Sequence, residues 1–154
     1  MNQHIASLTE QLQEIEDSIK ELISQAQEIK DKIDRLTSIP AVGITLASTV
    51  ICEAPELGNI TFRQLTSLVG LAPFARESGS YKGRRSIFAG RGNLRRVLYM
   101  AAVAALRCNK RLRNFYDHLI AKHKPAEIAL VAVMRKLLAF MHSIVKNSSS
   151  CNKN

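Results

Sequence analysis

The chain has 154 residues, which corresponds to one domain or one domain with an appendage and suffices to bury a core without staples. Hydrophobic residues make up 46% and charged residues 23%, which excludes a disordered chain. Lys and Arg number 22 against 13 Asp and Glu, for a net charge of +9, and a domain this basic points to a polyanionic partner.

The three cysteines, Cys52, Cys108 and Cys151, are far apart and form no C-x-x-C pair. That argues against a disulfide framework and a zinc site, and a reducing cytosol is the expected setting. The longest apolar stretch read from the sequence, Val97 to Leu106, is too short to span a bilayer, so no membrane partner is expected. The opening residues lack the pattern of a signal peptide.

The first 36 residues carry four basic and eight acidic side chains, and the remainder carries 18 basic and five acidic ones. An acidic arm therefore precedes a strongly basic body. In the arm, apolar residues fall at Ile5, Leu8, Leu12, Ile15, Ile19, Leu22, Ala26, Ile29, Ile33 and Leu36. The steps alternate three and four, a heptad seam that predicts a coiled-coil helix and a homo-oligomer. A helix folded back on its own body is the other reading. The e and g positions carry few charges and specify a partner's orientation weakly.

Ile39-Pro40-Ala41-Val42-Gly43 predicts a tight turn into a second helix, with Gly43 able to take a positive φ. The string resembles the hairpin of helix–hairpin–helix modules, whose backbone N–H groups face a phosphate, here Val42 and Gly43. Those modules usually have Gly where this chain has Ala41. A plain αα-hairpin is the other reading. Thr61-Phe62-Arg63-Gln64 has capping-box spacing, and Gly70 is the natural stop of the helix it opens.

From Leu71 to Gly92 the helical period gives way to a Gly-bearing loop or small β-ribbon. It holds Arg76, Lys82, Arg84, Arg85 and Arg91 against one acid, Glu77. Guanidinium groups bind phosphate bidentately and keep their charge, so this segment is the leading nucleic-acid contact. Asn93 can cap the next helix, through about Leu106, onto which Arg95 and Arg96 extend the stripe. Arg107, Lys110, Arg111 and Arg113 add a second cluster. A helix over about Arg111 to Lys122 and a last one from Pro125 to near Lys146 complete the body, before a polar tail at 147–154 expected to fray.

Ser78 lies inside the basic loop, with Ser80 and Ser86 as rivals for any nucleophilic role. Arginines can stabilise an alkoxide and a pentacovalent phosphate together, although a loop serine is more often a turn residue. The four histidines are scattered, and beyond the arm the acids are only Glu53, Glu56, Glu77, Asp117 and Glu127. No catalytic metal is expected within the chain.

Strings in collinear order from Leu36 to Val145 carry a resemblance. They include Ser38-Ile39-Pro40-Ala41-Val42-Gly43, Phe62-Arg63-Gln64-Leu65, Gly70-Leu71-Ala72-Pro73, Ser78-Gly79 and Gly90-Arg91-Gly92-Asn93-Leu94-Arg95-Arg96. Leu98-Tyr99-Met100-Ala101-Ala102, Asn114-Phe115-Tyr116, Lys124-Pro125 and Ala129 to Leu137 follow. The chain resembles the C-terminal transposase domain of the IS-one-ten insertion-sequence family, relatives of the Piv-type DNA invertases. The resemblance implies a bacterial recombinase with a RuvC-like domain whose DEDD carboxylates bind magnesium, a coiled coil, and this domain supplying a serine nucleophile. It also implies a structured guide RNA and an oligomer acting on DNA. The family serine precedes a glycine after the G-L-A-P string and maps onto Ser78, with Arg76, Arg84 and Arg85 binding phosphate or activating it.

The expected architecture is mostly α: a coiled-coil arm at 1–36, a small helical domain at 37–146 with a helix–hairpin–helix-like turn and the basic loop or ribbon, and a flexible tail at 147–154. The sequence holds no RuvC-like domain. The expectation is therefore a truncated product, a separate C-terminal fragment or an engineered domain, inactive alone, with magnesium at the absent domain. The alternative function is a non-catalytic fragment that binds DNA or guide RNA and self-associates.

Overall fold

A computed structural model describes residues 2–25, 27–74, 77–78, 81–82, 86–87 and 90–151, with side chains described at 9–23, 27–72 and 90–147. The chain is mostly helical. Helices α1 (Asn2–Gln25) and α2 (Gln27–Thr37) form the arm, followed by α3 (Ile44–Glu53) and α4 (Phe62–Val69). Four two-residue strands come next: β1 (Pro73–Phe74), β2 (Glu77–Ser78), β3 (Tyr81–Lys82) and β4 (Ser86–Ile87). Helices α5 (Gly92–Cys108), α6 (Lys110–Ala121) and α7 (Ala126–Cys151) close the chain.

The core sits between α7 and the helices around it. Helix α5 contributes Leu94, Leu98, Ala102 and Ala105, and α7 contributes Val133, Met134, Leu137, Leu138 and Met141. Helices α2, α4, α5 and α6 all pack against α7. Lys136 on α7 lies 4.0 Å over the Phe115 ring of α6, a cation–π contact that ties the pair. Ala126–Asn147 of α7 is long and apolar enough to cross a membrane by length and composition. Here that stretch supplies the central face of the core. The helix continues to Cys151.

The arm changes character along its length. Ile33 and Leu36, in the last turns of α2, are buried in the core. Leu12 and Leu22, on the same heptad seam, are 62% and 67% exposed. Between the arm and α3 lies an apolar pocket of about 350 Å³, lined by Ile19, Leu22, Ile29 and Ile51 among others.

Two local expectations hold in detail. Thr61 and Gln64 form a reciprocal capping box at the start of α4, and Gly70 ends that helix in the left-handed region at φ 79°. Two others are corrected. Gly43 is extended at φ −85°, and the positive φ of the α2–α3 turn belongs to Ala41, at 79°. Asn93 does not cap α5: the N-cap position is Arg91, and the capping acceptor comes from α3.

Candidate nucleic-acid interface

The segment after α4 pairs with itself. Strand β1 pairs antiparallel with β4, Pro73 opposite Ile87 and Phe74 opposite Ser86. Strand β2 pairs antiparallel with β3, Glu77 opposite Lys82 and Ser78 opposite Tyr81. They are two separate two-stranded sheets nested in sequence: β1–β4 is the outer pair, the foot of the ribbon segment, and β2–β3 the inner pair, its tip. Ser78 belongs to the last pair before residues 79 and 80, which link the two strands. Lys82 sits one pair nearer the foot, opposite the one acid of the segment. Arg76, Arg84 and Arg85 lie outside the described residues.

The foot of the ribbon is clamped to the body. Gly90 takes φ 80° and its backbone lies against Gly70; a Cβ at Gly90 would sit 2.4 Å from the Gly70 nitrogen. Only glycine permits that approach. The adjacent Arg91 N–H donates to the Leu68 carbonyl at 3.2 Å. Its guanidinium then forks onto Glu56, Nη1 to Oε2 at 2.9 Å and Nη2 to Oε1 at 2.7 Å. This is the bidentate geometry that a phosphate would also accept, but here a carboxylate fills it. The fork holds the Glu56 carboxyl at about 2, well below the usual carboxylate value, and raises Arg91 further.

One helical step away, Glu53 performs a second anchoring task. Its Oε2 accepts the Leu94 N–H at 3.1 Å, and its Oε1 accepts from the Asn93 amide. An acid at the C-terminus of α3 opposes that helix's dipole, but the same carboxylate complements the positive end of α5. Sequence reasoning assigned neither Glu53 nor Glu56 a role. The available signal was scarcity: two of only five body acids lie three residues apart in a basic chain.

The remaining candidates separate into two places. Arg95 and Arg96 are on the first turn of α5, Arg96 exposed and Arg95 half-buried. Val42 is buried, and its N–H donates to the Ile39 carbonyl at 2.9 Å, so that donor is used by the turn. Gly43 is exposed at the N-cap of α3. Because α3 starts at Gly43 and its last residue caps α5, the α2–α3 turn and the ribbon foot lie at opposite ends of a ten-residue helix, about 15 Å apart. The geometry does not bring Gly43 to the ribbon.

The carboxylates present do not suit a catalytic magnesium. Glu53 and Glu56 are committed to α5 and Arg91, and among the described residues no three His, Cys, Asp or Glu side chains gather.

Residues 33–117 match the family model described as Transposase IS116/IS110/IS902 family. The chain belongs to that family. It is 27% identical over 116 residues to the Insertion element IS110 uncharacterized 43.6 kDa protein of Streptomyces coelicolor, covering 74% of this chain and 29% of that protein. It is 26% identical to the pilin gene-inverting proteins of Moraxella bovis and Moraxella lacunata, covering 97% of this chain and 48% of each relative. The chain thus spans less than half the length of these curated relatives. Its family acts in transposition and recombination, and the matched span runs from the buried end of α2 to α6, with the whole ribbon inside it.

Proposed function

We propose that this chain is the DNA-binding, serine-bearing domain of an insertion-sequence transposase and acts in strand exchange through a phosphoserine intermediate. Ser78 Oγ attacks a DNA phosphorus, losing its proton as the P–O bond to a deoxyribose oxygen breaks. That oxygen leaves as a hydroxyl, and the strand stays esterified to the protein. Attack by a different deoxyribose hydroxyl reverses the step and frees Ser78. Arg76, Lys82, Arg84 and Arg85 stabilise the charge on the pentacovalent phosphate, and Arg95 and Arg96 hold the neighbouring backbone. Arg91 belongs to the clamp that aims the ribbon rather than to the phosphate contact.

The observation that carries this reading is the position of Ser78 in the last register pair of a basic ribbon whose foot is fixed to the body. Magnesium and the DEDD carboxylates belong to a RuvC-like domain on a second polypeptide segment, and a structured guide RNA is a further partner. The open part of the heptad seam, with Leu12 and Leu22 exposed, joins copies into an oligomer. The setting is the bacterial cytoplasm, where the chromosome lies.

The test is a covalent protein–DNA adduct, assayed with a RuvC-like partner domain, guide RNA and magnesium. Wild type gives an adduct that survives denaturation, and Ser78→Ala gives none. An adduct persisting in Ser78→Ala moves the role to Ser80 or Ser86. Failure of wild type to form one under these conditions, with DNA binding intact, favours the non-catalytic fragment.

A further inference from the structure

Helix α5 has two faces of opposite character. Leu94, Leu98, Ala101, Ala102 and Ala105 point into the core. On the other side, Tyr99 and Met100 lie three and four residues after Arg96, and Arg107 lies eight and seven residues after them, which puts all four in one stripe along the helix, with half-buried Val103 between them packed toward the core. Tyr99 is 48% exposed and Met100 is 62% exposed, although both are large and apolar in body. Arg96 and Arg107 are exposed at either end, and the helix contains no acidic residue. The charge continues past the helix end into Lys110 and Arg111, also exposed.

We propose that this face of α5 is a stacking platform for single-stranded DNA: the Tyr99 ring stacks on an unpaired base, Met100 packs beside it, and Arg96 and Arg107 hold phosphates on either side. Arg96 and Arg107 are eleven residues apart, or about 16 Å along the helix, a distance that several phosphates of one strand cover. A ring between two cations matches a strand whose bases are free, because aromatic stacking needs an open base face. In a duplex those faces are covered by neighbouring base pairs, and only the arginines would find partners. A second copy of this chain is a poor occupant, since pairing the stripe with itself sets Arg96 and Arg107 against like charge. The platform lies on the helix that the ribbon leads into, so a strand opened during exchange has a place to be held. The proposal rests on the reading that the chain binds nucleic acid, and it adds which form is bound and by which side chains.

The test uses the full chain and two labelled probes, an oligothymidine of about twenty nucleotides and a duplex of similar length. Tyr99→Ala weakens oligothymidine binding about tenfold and leaves duplex binding within twofold, while Tyr99→Phe keeps both. The chain has no tryptophan and only three tyrosines, so quenching of intrinsic tyrosine fluorescence by oligothymidine reads the stacking directly, and Tyr99→Phe reduces that signal. Thermal melting of the exposed-site variants matches wild type. Unchanged oligothymidine binding in Tyr99→Ala, or equal loss on both probes, overturns the platform while the general nucleic-acid role stands. Binding of neither probe by wild type overturns both readings. A change in oligomeric state in Tyr99→Ala assigns the patch to a second copy and overturns the proposal.

Discussion

At Gly90 the backbone is left-handed and presses against Gly70, leaving no volume for a methyl group. Gly90→Ala therefore combines a disfavoured φ with a backbone clash, and it should cost about 2–4 kcal/mol, read as a fall in the chemical-denaturation midpoint. Beside it, Glu56 and Arg91 lock the same neck through a charged fork. Because folding lowers the Glu56 value from 4.5 to about 2, the fork's contribution is fully present above pH 4.5 and is lost as pH falls toward 2. A Glu56→Gln variant should show a shallower loss of melting temperature across that window than wild type.

His142 acts on the same α3–α4 connection that carries Glu56. Its Nδ1 accepts the Gly58 N–H at 3.1 Å, pinning the α3–α4 connection to α7 beside the Phe62 ring. Burial, and then the Lys146 charge, push its value below 6.5. Protonation would leave no acceptor for Gly58, so this contact stabilises fully above pH 6.5 and weakens as pH drops below it. Wild type should lose melting temperature between pH 7 and pH 5 to a greater degree than His142→Gln, whose amide oxygen accepts at every pH.

At the scale of elements, the arm shows how one pattern serves two ends. Its seam is continuous in sequence, yet Ile33 and Leu36 are buried while Leu12, Ile15 and Leu22 are exposed. The heptad spacing says which residues share a face but not what covers the face, so the change of role within α2 was not legible. Ile33→Ala should destabilise the body by about 2–4 kcal/mol in denaturant titration. Leu12→Glu with Ile15→Glu should leave that stability unchanged and convert an oligomer to monomer in sedimentation equilibrium. The helix ends governed by neighbouring residues, the Thr61 box and the Gly70 stop, were readable because their partners lie within a turn. The start of α5 was not, because its cap is Glu53, 41 residues before Leu94. The same reason hides the Arg91 fork: as a sequence, Arg91 is one more cation in a basic loop, and only the fold brings Glu56 to it. Ala41 reverses the expectation for Gly43 because the turn tightens one step earlier, where Val42 N–H reaches back to Ile39.

For the whole molecule, the division of charge is the feature that sequence and fold share. An acidic arm precedes a body with 18 cations and five acids, and two of those acids are spent on anchoring the ribbon and α5. The cations that remain are concentrated on the ribbon segment, on the outward side of α5 and at the start of α6. The clamp at Gly70, Gly90, Glu56 and Arg91 holds the residues that follow the ribbon segment against the end of α4 and the α3–α4 connection.

A salt titration of fluorescence anisotropy decides whether this domain grips nucleic acid through the ribbon. With duplex DNA, log affinity should fall linearly with log salt, by about 0.9 for each phosphate contact. Replacing Arg84 and Arg85 together with Ala should flatten the slope by about 1.8 without altering the melting temperature. A slope left unchanged by that substitution, or no binding at low salt, would contradict the account.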